Sequence, residues 1–457
     1  MRVVLRMETN RRSALGAFTL GLTASLFVAC SAATPSASPS APGPSGAPST
    51  SPVASAQASA TPSPTPAPTP TPTPAITPMP TPRSGSLSIA WTKVASAAAG
   101  PGLRNTDYQS AVATLGDVMV VAQDSQGELP GPAFWYSEDG RTWTEATVSE
   151  PLSESIWVAD MTVGGPGLVA VGGAYVGDPN DPTTEVAIWT SSDGRSWTRV
   201  KGPALGPGEL HKVGTTVGGL IAFGGDGTEG AIWTSPDGTD WSRAAVPSGF
   251  APWDVTLAES DGALLAFDVR TEADDSPIDE WRADSLTQWT RLGTLPHSAG
   301  QRLAQVVHGP TGWVASGGVF LASTDGVTWS VVPKPPDAQA VVADAGGFIG
   351  VDFRITSSGC VYDDYDTINE TWTSADGRTW LHLPEDPRLN HGSINALLIR
   401  GETLYGFGLG YTSGKDARAV VWTADLAGFG APSGPLPTPT PTPKPSHTPP
   451  TEGCGGP

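Results

Sequence analysis

Five aspartates recur in one setting: SEDGRTW (137–143), SSDGRSW (191–197), SPDGTDW (235–241), STDGVTW (323–329) and SADGRTW (374–380). A carboxylate repeated in this way can serve as a general acid or base, as a ligand to a hard cation, or as an acceptor for backbone N–H groups in a turn. The neighbours favour the turn. Glycine follows each aspartate and tolerates the positive φ of a tight hairpin, a serine stands two residues before it, and a tryptophan closes the heptad as an apolar anchor. The pattern assigns Ser137, Asp139, Gly140 and Trp143 to one structural clasp. Ser191, Asp193, Gly194 and Trp197 make a second, and Ser235, Asp237, Gly238 and Trp241 a third. Ser323, Asp325, Gly326 and Trp329, then Ser374, Asp376, Gly377 and Trp380, complete the set, and none of them is expected to be catalytic.

Three further stretches are dense in carboxylates: GDPNDPTTE (177–185), TEADDSPIDE (271–280) and VYDDYDTINE (361–370). Clustered oxygens suit Ca²⁺, and Asp363, Asp364 and Asp366 form the tightest local group. None of the three matches the EF-hand loop, so solvated loops without a cofactor are the expectation. The histidines show no H-E-x-x-H spacing, and three cysteines are too few for a zinc site. Neither a G-x-S-x-G elbow nor a phosphate-cradling loop is present. Paired carboxylates could hydrolyse a glycosidic bond only at set separations, which spacing along the chain does not reveal.

The elements that carry these residues repeat. Seven short apolar runs recur: GDVMVVA, GLVAVGG, GLIAFGG, GALLAFD, GWVASGG, GFIGVDF and ETLYGFG, starting at 116, 167, 219, 262, 312, 347 and 402. Each reads as a buried strand. Tryptophans eight residues apart flank the heptads, as in Trp135/Trp143 and Trp189/Trp197, while the pair Trp281/Trp289 encloses a box that has lost its Asp-Gly. The seventh pair is split across the chain. AVVWTAD (419–425) lacks its second tryptophan, and Trp91-Thr92-Lys93-Val94 matches the outgoing segment Trp197-Thr198-Arg199-Val200. These features predict an all-β fold, a seven-bladed β-propeller of four-stranded antiparallel blades. The ring closes when the strand at 87–95 completes the last blade. Trp313 falls in an apolar run and is expected in the core, whereas Trp157 and Trp253 are expected on the face opposite the heptads.

The heptads resemble the Asp-box, or BNR, repeat of the sialidase-like propeller superfamily, although they are one residue shorter between Asp and Gly. In that family the box is structural and lies away from the ligand site. Phe353-Arg354-Ile355-Thr356 is similar to the sialidase F-R-I-P element but lacks its proline, and no other arginines occupy equivalent positions across the blades. The resemblance therefore implies a propeller without implying catalysis. A non-enzymatic binding or assembly module for a protein or envelope glycan is the leading expectation. The alternative is a glycan-processing enzyme.

The chain ends add a location. Residues 1–30 carry four arginines before an uncharged apolar run, and Leu26-Phe27-Val28-Ala29-Cys30 resembles the lipobox of bacterial lipoproteins. That resemblance implies lipid attachment at Cys30 and display on the outer face of the cytoplasmic membrane or in the cell envelope. Residues 31–85 and 431–457 are proline-rich and too poor in apolar side chains to build a core, so they read as disordered tethers around a propeller at 86–430. With Cys30 lipidated, Cys360 and Cys454 remain as a possible disulfide. Only Glu8 and Glu452 of the 45 acidic residues, but six of the 25 basic ones, lie outside 86–430, leaving 43 against 19 and a net charge of −24. Such a domain repels nucleic acid and anionic lipid, which leaves the lipid anchor as the membrane contact and a monomer as the expected state.

Overall fold

A computed structural model describes residues 89–94, 108–124, 133–150, 156–178, 181–202, 205–260, 262–268, 277–296, 303–333, 338, 340–355, 367–412, 416–427 and 429. All of them belong to one compact unit, Ile76–Pro457. The export-like segment and the two proline-rich tracts lie outside the described residues, as do Cys30, Cys360, Cys454, Asp363, Asp364 and Asp366.

The glycine-led runs are continuously apolar because each strand they form is covered on both faces. Each provides the second strand of a four-stranded antiparallel sheet, and there are seven such sheets. The inner strands are Tyr108–Leu115, Ile156–Gly164, Glu209–Thr216, Val255–Ser260, Leu303–Gly309, Ala340–Asp344 and Gly392–Arg400. Each touches the inner strands before and after it, and the last returns to the first, so the seven blades form a ring. The second blade gains a fifth strand, Thr147–Val148, which arrives from the first blade and pairs in parallel with Ser196–Val200.

The core is divided among the seven junctions between blades. The second tryptophan of each pair leaves its own sheet and packs on the preceding blade. Trp197 stacks on Phe134 with ring centroids 4.0 Å apart, and Trp143, Trp289, Trp329 and Trp380 meet Phe407, Phe223, Phe267 and Phe320 edge-on. Trp241 enters the cluster that contains Val169 and Val171 of the second blade. Burial of one such ring contributes up to about 5 kcal/mol.

The seam obeys the same rule. Trp91–Val94 pairs antiparallel with the third strand of the seventh blade, Trp91 opposite Ala424 and Val94 opposite Val421. Trp91 then packs with Ile349 and Val351 of the sixth blade. Lys93 lies over the Trp422 ring as Arg199 lies over Trp189, so the sequence match between the two segments is also a match of contacts.

Five inner strands carry a bulge one to three residues from their start. Glycine on the second strand makes room for it in three of them. A Cβ at Gly172 would overlap the Trp157 carbonyl, and Gly224 and Gly408 meet the Glu209 and Ser393 carbonyls in the same way. The fourth and sixth blades have Asp268 and Asp352 at this place in the run, and their inner strands pair without a bulge. One sequence expectation is corrected here. The acidic stretch 177–185 is not an open loop, because Gly167–Asp178 and Asp181–Ser191 pair out to Asp178 opposite Asp181.

Candidate functional site

The two faces of the ring are built differently. One carries the boxes and the tight turns between inner and second strands. Gly165 abuts the backbone at Asp237, Thr311 Oγ1 donates to Ala375 O, and Arg400 of the seventh blade donates to Glu138 O and pairs with Asp117 of the first. Within a box, Asp139 Oδ1 accepts from the N–H groups of Arg141 and Thr142 at 2.8 and 2.7 Å, and Ser137 Oγ accepts from Gly140 N at 2.8 Å. Asp193, Asp237, Asp325 and Asp376 make the same pair of bonds. In the eroded box Ser285 Oγ takes the carboxylate's place and accepts from Thr287 and Gln288.

Partial burial opposes ionisation of Asp139, yet the bonds from Thr142, Arg141 and Ser137 outweigh it and hold the carboxyl below its usual value. Asp237 is drawn down to about 2 by the N–H groups of Asp240 and Thr239. A depressed carboxyl stabilises the fold above its unfolded value near 3.8 and loses that contribution as pH falls through the folded one. Asp139→Ala is expected to cost about 1 kcal/mol in urea unfolding, and Asp139→Asn, which keeps an acceptor oxygen, much less.

The opposite face carries the loops between second and third strands and the connections between blades. Its rim is uneven. The second-blade hairpin continues five residue pairs past Gly173, about 17 Å of extra ribbon, whereas the third blade stops at Gly225 opposite Gly230. At the base of that ribbon Trp157 covers Gly173 and packs against Tyr175, with ring centroids 4.9 Å apart and Tyr175 53 % exposed. Trp253 covers Gly225 in the same manner and stands edge-on to His211. His211 contacts the Trp253 carbonyl at 2.9 Å and pairs with Glu209 at 3.2 Å. Burial opposes its protonation, but Glu209, the Trp253 carbonyl and Asp254 raise its pKa above the ordinary value.

Carboxylates gather on the fourth blade. Asp268 and Asp279 are cross-strand partners and both are buried. Asp279 is held by Arg291 through two bonds, at 3.0 and 2.7 Å, and Asp268 accepts from Ala251 N. Glu280, the next residue, points to the other side of the sheet, into the junction with the fifth blade, where its Oε2 accepts from Trp329 Nε1 at 3.0 Å. The acidic composition of 271–280 predicts a loop, but Asp279 and Glu280 lie in the strand Asp279–Ala283. Lining up the residue before the first tryptophan of every pair would have found Glu280 as the one carboxylate in that column. Arg354 pairs with Glu370 and Glu385 on the sixth blade. Among the described residues no group of three or more His, Cys, Asp or Glu side chains is arranged to hold a metal ion.

No protein-family model and no curated protein matches the sequence. Among solved structures the chain is similar to a Trypanosoma rangeli sialidase in complex with the inhibitor DANA, at a TM-score of 0.38 and 15 % identity, covering 74 % of this chain. The match spans 59 % of the sialidase's length. It is also similar to the polysaccharide lyase Uly1, at a TM-score of 0.46 and 9 % identity over 70 % of this chain and 90 % of that one. A thermostable family-43 glycoside hydrolase matches at a TM-score of 0.32 and 13 % identity over 51 % of this chain and 96 % of that one. These likenesses concern the propeller fold, which the strand order already establishes.

Proposed function

We propose that the propeller is a non-enzymatic recognition module that binds a glycan of the cell envelope on its loop face. The pair Trp157 and Tyr175 carries this reading: two aromatic rings at the foot of a raised hairpin, one of them more than half exposed. Aromatic faces stack on the C–H faces of sugar rings. The chain ends support the same orientation. Trp91 begins opposite Ala424 at the box end of the seventh blade, and Leu426 donates to Glu402 in a turn of that face. The described chain thus enters and leaves the propeller on the box face, opposite the loop face. Anchorage through a lipid on Cys30 belongs to the proposal and predicts that Cys30→Ser abolishes incorporation of labelled fatty acid.

The test is a binding survey of the full chain against soluble envelope oligosaccharides, scored for both retention and product release. Tyr175→Ala is expected to weaken the retained ligand about tenfold, the value of one lost stacking contact, without moving the urea midpoint. Release of shortened sugars would instead place the chain among glycan-processing enzymes. Asp268 and Asp279 would then be the first carboxylates to replace.

A further inference from the structure

In an antiparallel hairpin every second residue pair lacks ladder bonds, so alternate N–H groups of an inner strand point away from the sheet into the central channel. Side chains of adjacent blades cap several of them. Val213 N donates to Asp160 Oδ2 at 3.0 Å, Thr215 N to Glu259 Oε1 at 2.9 Å, and Val341 N to Gln305 Oε1 at 2.9 Å. Asp160, Lys212, Thr256 and Gln305 occupy one repeat position, opposite Val171, Phe223, Phe267 and Ser316. From it Asp160 and Gln305 accept from the next inner strand, and Thr256 donates to Leu303 O at 3.2 Å.

Lys212 breaks this series. An ammonium only donates, and the register equivalent of Val213 on the next strand is Leu257, opposite Ala266. The junction of the third and fourth blades thus supplies a donor side chain at the position from which Asp160 and Gln305 supply acceptors. Among the described residues Lys212 has no ion-pair partner within 4.0 Å, and Leu257 N has no side-chain acceptor. Both line a cavity of about 320 Å³ whose walls include Met161, Leu264 and Val306. Asp160 and Glu259 border the same space, and each keeps one carboxylate oxygen outside its inter-strand bonds.

We infer that this cavity is a binding site for a small hydroxycarboxylate, its carboxylate held by Lys212 Nζ and the Leu257 N–H. The volume suits one hexose-sized ring, at the small end of ligand pockets. A singly charged carboxylate matches the two donors, and the free oxygens of Asp160 and Glu259 accept hydroxyl hydrogens while repelling a dianion. The inference does not depend on what the loop face binds.

Titration calorimetry of the full chain with glucuronate, glucose and sulfate tests it. Saturable binding of glucuronate is expected, with glucose and sulfate at least about tenfold weaker, the value of one charge-assisted bond. Lys212→Met and Lys212→Gln should each weaken glucuronate by roughly tenfold to a hundredfold with an unchanged urea midpoint. Glu259→Gln keeps the acceptor for Thr215 and removes a nearby negative charge, so it should tighten glucuronate severalfold. This last arm has a sign that a damaged fold does not imitate. Equal affinity for glucose, unaltered binding in the Lys212 variants, or no binding of any probe overturns the inference and leaves Lys212 as a charge that offsets Asp160 and Glu259.

Discussion

Trp91→Ala is expected to destabilise the propeller by about 3–5 kcal/mol, as large a loss as any single side chain here should cause. The side chain is 0 % exposed and stands between blades six and seven, against Ile349, Val351 and Leu404. Its Nε1 donates to Thr371 Oγ1 at 3.3 Å and its backbone N–H to Asp386 Oδ2 at 3.1 Å. Truncation leaves a cavity and an unbonded hydroxyl, and it also loosens the one strand that joins the start of the chain to its end. Trp197→Ala removes an equivalent ring from a continuous blade and provides the comparison. Urea unfolding should give similar losses for both variants. Hydrogen exchange should separate them, with Trp91→Ala raising exchange across the third strand of the seventh blade, Asp416–Asp425. That strand becomes an edge when its partner frays. Uniform loss of protection in both variants would mean that the seam bears no more than any other junction.

Blade number and seam were legible in the sequence because one physical demand repeats. Every junction buries a tryptophan from one blade on the preceding blade, so Trp143, Trp197, Trp241, Trp289, Trp329 and Trp380 recur with their partners eight residues back, apart from Leu321. Trp91 could be recognised by its place in that series although it lies more than 300 residues from the strand it completes. The bulges were not legible, because what the glycines make room for is tertiary: Gly172 and Gly224 face a carbonyl of the adjacent strand, and Gly173 and Gly225 a tryptophan ring.

The candidate sites were much less legible, since nothing in them repeats. Lys212 is an ordinary lysine until the register sets it at the position that Asp160 and Gln305 hold in other blades, and only the fold reveals that it lines one cavity with Leu257. Trp157 and Trp253 were separable by elimination, yet nothing along the chain pairs Trp157 with Tyr175, which lies across the sheet. The acidic stretches misled for a related reason. Composition marks them as solvent-exposed, but strand alternation sends adjacent residues to opposite faces. Asp279 therefore meets Arg291, while Glu280 enters an apolar junction.

Between pH 5 and pH 8 the protein is expected to lose stability, and Glu280→Gln to remove the share that Glu280 causes. The residue fills a slot held by Phe134, Ile188, Ile232, Phe320, Thr371 and Val421 in the other six blades, and it is 0 % exposed. Its Oε1 has no hydrogen-bond partner. Burial among Phe267, Leu321 and Trp329 raises the carboxyl to about 7 from 4.5; the Trp329 N–H opposes the shift and the charge of Asp325 adds to it. Between those two values the native state holds a proton that the unfolded chain has released. Stability therefore falls as pH rises, by up to about 3 kcal/mol once both states are ionised. Glutamine keeps an acceptor for Trp329 and cannot ionise. The variant should match the native protein near pH 4.5 and exceed it increasingly up to pH 8 in urea unfolding. His211, with its raised pKa, also loses stabilisation as pH rises. The difference between the two proteins, rather than the slope of either, carries the result. A constant difference across this range would mean that Glu280 is already ionised at pH 5 and that the fourth and fifth blades hold a buried charge.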